Sequence, residues 1–203
     1  MKISMIGAGN ISGTLGSKWA AQGHEVVFGV REPQAEKVQA LLAQSGHGAT
    51  AVPLSESVLR AEVVVFAVPG RVMGEVVGQL EAQLNGKLLI DTTNKVGQMP
   101  LHSLDVLRRA APDSLLFRAF STLGWENFAN PEINSVQTDL FYCGDEGAGQ
   151  TAVHDLITAI GLRPIYLGDL EQADYLDALT QLWFILALKQ GRGRHLALKM
   201  LTD

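Results

Sequence analysis

An apolar strand that runs straight into glycine constrains this chain more than any other feature. Residues 1–13 read Met-Lys-Ile-Ser-Met-Ile-Gly-Ala-Gly-Asn-Ile-Ser-Gly, and a helical pattern starts at Asn10. Ile3 to Ile6 form the strand. Gly7 permits a tight turn, and Gly9 lets the backbone approach a ligand closely. The free N–H groups of the following helix and its dipole favour an anion at this point. This is the spacing of the turn that cradles a pyrophosphate in a dinucleotide-binding unit. Its place between a strand and an amphipathic helix is the context that such a turn requires. The third glycine position of the pattern holds Ser12, followed by Gly13. That position asks only for a small side chain, so that helix and strand pack closely. Ser12 meets this demand, and Gly13 and Gly16 keep the helix face slim.

Strand and helix patterns alternate from here on. Glu25–Gly29 reads as a second strand, and Pro33–Gln44 as a helix with proline in its first turn. A short strand near Ala49–Val52 and a brief helix over Ser55–Arg60 follow. Val63–Val68 is an unbroken apolar run, as expected of a parallel strand covered on both faces. Gly70–Leu84 is a helix, Lys87–Ile90 a strand, Leu101–Ala111 a helix and Leu115–Phe120 a strand. This alternation predicts an α/β fold, a Rossmann-type doubly wound parallel sheet. After Phe120 the pattern changes. Residues 121–137 lack clear periodicity, with one short helix around Trp125–Phe128. Asp139–Cys143, Gly149–Ile160 and Arg163–Leu167 then read strand, helix, strand. A long helix from about Gln172 is interrupted near Gly191. We therefore expect a dinucleotide-binding domain over residues 1–121. A small C-terminal α/β domain over 122–203 serves the acceptor side and dimerisation.

Composition narrows the function classes. The 203 residues are 47% hydrophobic, enough for a sizeable core, and carry a formal net charge of −5. That balance, without any basic run, argues against a nucleic-acid partner. The single cysteine, Cys143, excludes an internal disulfide framework and fits a reducing, cytoplasmic setting. It reads as a buried strand thiol. The longest strongly apolar run, Leu182 to Leu188, is too short to span a bilayer.

The end of the second strand bears on the choice of cofactor. In NAD-preferring folds an acidic side chain there binds the ribose 2′-hydroxyl. Here Gly29 and Val30 take that place, followed by Arg31. An arginine pairs with a 2′-phosphate through two parallel hydrogen bonds, so the sequence favours NADP(H). Three loops at C-terminal strand ends should converge where a nicotinamide would sit: Val68-Pro69-Gly70, Asp91 to Lys95, and Ala119 to Gly124. No Tyr-x-x-x-Lys and no histidine at a strand end supplies the proton donor that carbonyl reduction needs. His24 and His47 fall in turns, while His102, His154 and His195 read as surface positions on helices. No cluster has metal-ligand spacing.

Taken in order, these segments resemble the deazaflavin (coenzyme F420)-dependent NADP oxidoreductases, and also the cytosolic domain of the membrane ferric reductases. The resemblance runs through Ile6 to Ile11, Gly23 to Val27 with Arg31, Ala67 to Pro69, Asp91 to Asn94, Arg118 to Gly124, Cys143 to Asp145 and Gly161 to Pro164. It implies that Gly7, Gly9, Asn10 and Ile11 hold the pyrophosphate and Arg31 the 2′-phosphate. Val68, Pro69, Thr93, Asn94, Thr122 and Leu123 then line the nicotinamide side, with Gly124 facing the acceptor. Two positions depart from the family: Val30 stands where a serine is common, and Lys95 where proline often follows the asparagine. The resemblance also implies hydride transfer between NADPH and a deazaflavin or a flavin such as FMN or FAD. The acceptor ring absorbs the electrons, so no catalytic acid is needed. Positioning alone removes about 7–11 kcal/mol of barrier in well-oriented reactions. Other readings are an NADP(H)-binding sensor without turnover and a reductase of imine or hydroxyacid type. Tyr175, Leu176, Leu179, Leu182, Trp183, Leu186 and Leu188 give the last helix a wide apolar surface, which we expect to form a homodimer.

The glycine turn yields a direct test. Gly9→Val should abolish dinucleotide binding while circular dichroism and Tm stay close to wild type. Normal NADPH binding by the variant would move the phosphates away from this loop.

Overall fold

The computed structural model describes residues 1–203. Its main sheet has eight strands. In chain order they are β1 (Lys2–Ile6), β2 (Glu25–Val30), β3 (Thr50–Pro53), β4 (Val63–Phe66), β5 (Leu88–Asp91), β6 (Leu115–Arg118), β9 (Asp139–Gly144) and β10 (Arg163–Tyr166). The spatial order is β10-β9-β6-β5-β4-β1-β2-β3. β1 to β6 are all parallel, and the order reverses between β1 and β4. That reversal opens the crevice in which such sheets bind ligands. β9 runs antiparallel to β6, and β10 parallel to β9. The residues after 121 thus extend the same sheet. β7 (Glu132–Ile133) and β8 (Val136–Gln137) form a separate two-residue hairpin.

Side-chain alternation builds the two faces. Val63 and Val65 point into one core, shared with α1 (Asn10–Ala21), α2 (Glu36–Ser45) and α7 (Ala148–Ala159). Val64 and Phe66 point into the other, with α3 (Leu54–Arg60), α4 (Met73–Leu84) and α5 (Leu104–Ala110). Helix α1 lies close to the sheet because it is slim. A Cβ on Gly16 would stand 2.7 Å from the Phe28 ring, and one on Gly13 2.9 Å from Leu41. Trp19, fully buried, donates its indole N–H to the Leu156 carbonyl at 2.9 Å and so ties α1 to α7. The short α6 (Trp125–Ala129) packs on the same side.

Several boundaries differ from expectation for local reasons. Pro33 lies in a turn closed by the Ala35 N–H on the Glu32 carbonyl, and α2 starts at Glu36. Helix α5 starts at Leu104; ahead of it the amides of Leu101 and His102 donate to Asp177, and that of Ser103 to Asp91. His102, read as a surface position, is buried there. The last helix, α8 (Ala173–Phe184), runs into a π-helical turn at Ile185–Lys189, and residues 190–203 form no further helix. That tail folds back, with the Trp183 indole N–H on the Leu196 carbonyl at 2.9 Å. The apolar surface of α8 divides accordingly. Leu176 and Trp183 pack inward, while Tyr175, Leu182, Ile185 and Leu188 are exposed. Cys143 is buried as expected, and burial pushes its thiol up to about 12.

Asp139 fastens the tail to β9. It is fully buried and accepts from Arg163 at 2.6 and 2.7 Å, from Lys199 at 2.6 Å and from the Met200 amide at 2.8 Å. Burial alone would raise its pKa, but these hydrogen bonds outweigh it and hold the carboxyl below its ordinary 3.8. A depressed folded-state pKa stabilises above the ordinary value and is lost as pH falls through the lower one. Asp139→Asn should therefore cost ~2 kcal/mol or more near neutral pH, lowering Tm by roughly 4–8 °C. The gap to wild type should close as the pH falls below the carboxylate range. Thermal scans across that range check it, and a gap independent of pH would refute the assignment.

Candidate active site

The turn between β1 and α1 has the geometry of an anion cradle. Gly7 adopts φ +111, and a Cβ there would meet the Ala67 carbonyl at 2.8 Å. Only glycine suits both demands. A Cβ on Gly9 would meet nothing within 4 Å, so the open space beside it belongs to whatever approaches the backbone. Gly9 caps α1 without any side-chain hydrogen bond, and no acidic residue lies in the first turn. The amides of Asn10, Ile11 and Ser12 therefore face outward with no intrahelical acceptor. Ser12 is buried and turns its hydroxyl back onto the Gly9 carbonyl at 3.1 Å.

A pocket of about 370 Å³ opens beside this turn. Gly7, Arg31, Val68 and Pro69 line it, together with Glu32 and Lys37. Arg31 is exposed and forms no ion pair, with Glu32, Glu36 or any other carboxylate. The missing acid at the end of β2 has a packing reason. A side chain at Gly29 would collide with the Ser57 hydroxyl of α3. On the outer side of the turn, Gly9 and Asn10 line a second pocket of about 420 Å³ with Trp125, whose ring also packs on the core. Ile11 is half-buried against that core.

The β5 and β6 loops are held by a buried charge cluster. Arg118, Asp91 and Asp177 are all fully buried. The Arg118 guanidinium lies 2.9 Å from Asp177 Oδ1 and 3.6 Å from Asp91 Oδ2. It also donates to the Thr93 carbonyl and, at 2.7 Å, to Asn94 Oδ1. Asn94 Nδ2 in turn donates to the Ser121 carbonyl at 3.1 Å. Asp91 accepts from the Thr93 amide and hydroxyl at 2.8 and 2.7 Å and from the Ser103 amide at 2.6 Å. One arginine thus connects β6, the loop after β5, the start of α5 and helix α8.

This wiring revises several expected roles. Thr93 is buried, with its hydroxyl turned inward to Asp91, so its side chain is not offered to a ligand. Asn94 reaches the pocket at the β5 end but spends its amide on joining the two loops. Gly124 does not face an open slot. A Cβ there would stand 2.5 Å from Glu126 Oε2, 3.0 Å from the Arg194 carbonyl and 3.1 Å from Trp183. The acceptor-side place given to it is withdrawn, because the C-terminal tail fills that space. Thr122 and Leu123 lie just beneath the surface at 3% and 8% exposure. Just before them, Phe120 adopts φ +57, wedged edge-on between Trp19 and Phe128 at centroid distances of 5.6 and 5.7 Å. Such a conformation costs about 1–3 kcal/mol and persists where packing enforces it. Beyond it the buried hydroxyls of Ser121 and Thr122 have no hydrogen-bond partner. These two orphaned hydroxyls lie in the loop after β6, which Asn94 ties to the loop after β5, and each is open to a further polar partner.

Arg118 and Asp177, which hold these loops, are the residues that the sequence reading missed. Their signal was a lone cation in the apolar strand Leu115–Phe120 and a carboxylate on the buried face of α8.

Comparison with known proteins follows the same lines. Residues 2–95 match the model of the family described as NADP oxidoreductase, coenzyme F420-dependent. The F420-dependent NADP reductase of Methanocaldococcus jannaschii is 24% identical over 212 residues, with 93% of each chain covered. Metalloreductase STEAP3 of Rattus norvegicus is 25% identical over 183 residues, covering 88% of this chain and 36% of that protein. The chain therefore spans about a third of the metalloreductase. A crystal structure from Arthrobacter sp. FB24, assigned as an F420-dependent NADP reductase, superposes with a TM-score of 0.87 over 100% of both chains at 23% identity. The family resemblance seen in the sequence and the Rossmann-type fold are both borne out. The matched segment holds the glycine turn, Arg31, Pro69 and Asn94.

Removing the cluster's cation tests its structural weight. Arg118→Met leaves two buried carboxylates uncompensated and should cost about 3–5 kcal/mol in urea unfolding. Arg118→Met with Asp177→Leu should lose less than the sum of the two single changes. A loss under about 1 kcal/mol for Arg118→Met would show that the cluster does not hold the loops.

Proposed function

We propose that this chain, as an oxidoreductase of the coenzyme F420-dependent NADP kind, transfers hydride between NADPH and a deazaflavin or flavin acceptor. The observation that carries this reading is the uncapped, acid-free N-terminus of α1 with an unpaired Arg31 in the pocket beside the turn, a pocket that the β4 loop also lines. Gly7, Gly9 and the amides of Asn10 and Ile11 would hold the pyrophosphate. Arg31 would hold the 2′-phosphate. Val68 and Pro69 would wall the dinucleotide, with the Ser121 and Thr122 hydroxyls free for its carboxamide. Bound NADPH supplies the hydride, and the acceptor ring takes the electron pair into its own conjugation.

The chain's own work is then binding, orientation and exclusion of water. The residues lining the crevice include no histidine, tyrosine or cysteine. Cys143, held protonated by burial on the far side of β6, takes no part. Rigid loops matter because a misplacement of about 1 Å between reacting centres costs on the order of a hundredfold in rate. Arg118 fixes Thr93, Asn94 and, through Asn94, Ser121. It acts as a positioning residue.

The exposed stripe of Tyr175, Leu182, Ile185 and Leu188 on α8 and the turn after it would be covered by a second copy, giving a homodimer. No helix is long and apolar enough to cross a membrane. With its single cysteine reduced, the protein would work in the cytoplasm.

Anaerobic NADPH oxidation against the deazaflavin coenzyme, FMN, FAD and a ferric chelate tests the reaction. We expect turnover with a deazaflavin or flavin. Tight NADPH binding without oxidation by any acceptor would favour the sensor instead. Arg31→Ala should weaken NADPH binding by about 10- to 150-fold, the equivalent of a charged hydrogen-bonded contact, and NADH binding little. Equal losses for both nucleotides would refute the 2′-phosphate assignment.

A further inference from the structure

At the ends of β4 and β5 lies a further pocket of about 290 Å³, lined by Pro69, Gly70, Arg71, Asn94, Lys95 and Gln98 among others. It contains two cations and no carboxylate, in a chain whose net charge is −5. Neither the Arg71 nor the Lys95 side chain enters an ion pair. Two unpaired cations that line one pocket repel one another, and an anion bound there relieves that cost.

The cations are held together by backbone contact. A Cβ on Gly70 would stand 2.7 Å from the Lys95 amide nitrogen and Cγ, and 2.8 Å from the Asn94 carbonyl carbon. Only glycine lets the β4 and β5 loops touch in this way. Asn94 is fixed by Arg118 and the Ser121 carbonyl, and the Lys95 amide by the Leu101 carbonyl at 2.9 Å. Lys95 therefore leaves a rigid base. Pro69 lines both this pocket and the one that contains Gly7 and Arg31. An occupant here lies against the dinucleotide site, yet apart from the α1 N-terminus and Arg31. Those two already account for the phosphates of the cofactor.

We propose that Arg71 and Lys95 form a subsite for an anionic group, phosphate or carboxylate, on the tail of the acceptor. The protein then selects acceptors with a negatively charged tail over bare rings. This inference rests on the hydride-transfer reading and sharpens its acceptor class. It gives Lys95 a role of its own.

Matched acceptors test it with the whole 203-residue chain. FMN is compared with riboflavin, and the deazaflavin coenzyme with its tail-less ring-and-ribityl core. In wild type the tailed member of each pair should show a KM about tenfold or more lower. Added inorganic phosphate should raise that KM and leave the tail-less one unchanged, which separates a free anion from a tethered one. In Arg71→Gln/Lys95→Gln the tailed advantage should vanish, with tail-less KM and NADPH affinity unchanged. Equal loss with tailed and tail-less acceptors, or weakened NADPH binding, would overturn the subsite. If no acceptor is reduced, the hydride reading fails and flavin fluorescence quenching on the NADP⁺-loaded protein decides the subsite alone. FMN binding tighter than riboflavin in wild type but not in the double variant supports it; equal binding overturns it.

Discussion

One buried guanidinium organises the ligand edge of this sheet. Arg118 has no exposed surface, and neither do the two carboxylates that flank it. Taking three charges out of water costs several kcal/mol apiece, and mutual attraction offsets this only when the geometry is good. The hydrogen bonds complete that geometry. Asp177 also accepts the Leu101 and His102 amides at 2.6 and 3.1 Å, and Asp91 accepts the Thr93 and Ser103 amides. Apolar residues of the same size could fill the space at similar stability. They could not pin a carbonyl and a side-chain amide of the β5 loop and a helix 59 residues downstream to the same point. Geometry, more than stability, is what this cluster contributes.

The site divides along the β1/β4 reversal. On one side an anion is favoured by fixed backbone dipoles and an exposed, unpaired cation, Arg31. On the other the β4 and β5 loops are in backbone contact, with Pro69 between the two pockets and Arg71 and Lys95 at the outer end. Phe120 sits at the junction. Its left-handed backbone is the local cost of turning the chain from β6 into the crevice, and the Trp19 and Phe128 rings enforce it.

Short-range chemistry made much of this legible in advance. The glycine turn, the slim face of α1 at Gly13 and Gly16, the absence of an acid at Gly29 and Val30, and the order of strands through β6 all follow from residues close in sequence. What stayed hidden depended on distant partners. Thr93 and Asn94 look like ligand residues until Arg118 and Asp91 claim their polar atoms. Gly124 looks like room for a ring until the tail at Arg194 and Trp183 fills the space. The segment ahead of α5 is held by carboxylates on β5 and α8 that lie far from it in the chain. The apolar pattern of α8 could not reveal which residues face inward, because β9 and the returning tail decide that. No local pattern signals that β9 pairs antiparallel with β6 and so continues the same sheet.

The central claim is that the chain brings two rings together and leaves the proton chemistry to them. Anaerobic single turnover with NADPH deuterated at C4, on each face in turn, tests it most directly with the deazaflavin acceptor. The account predicts that deuterium from one face only appears at C5 of the acceptor ring, with no hydrogen from solvent at that carbon. Solvent hydrogen at C5, or transfer from both faces alike, would contradict direct transfer in a single fixed geometry.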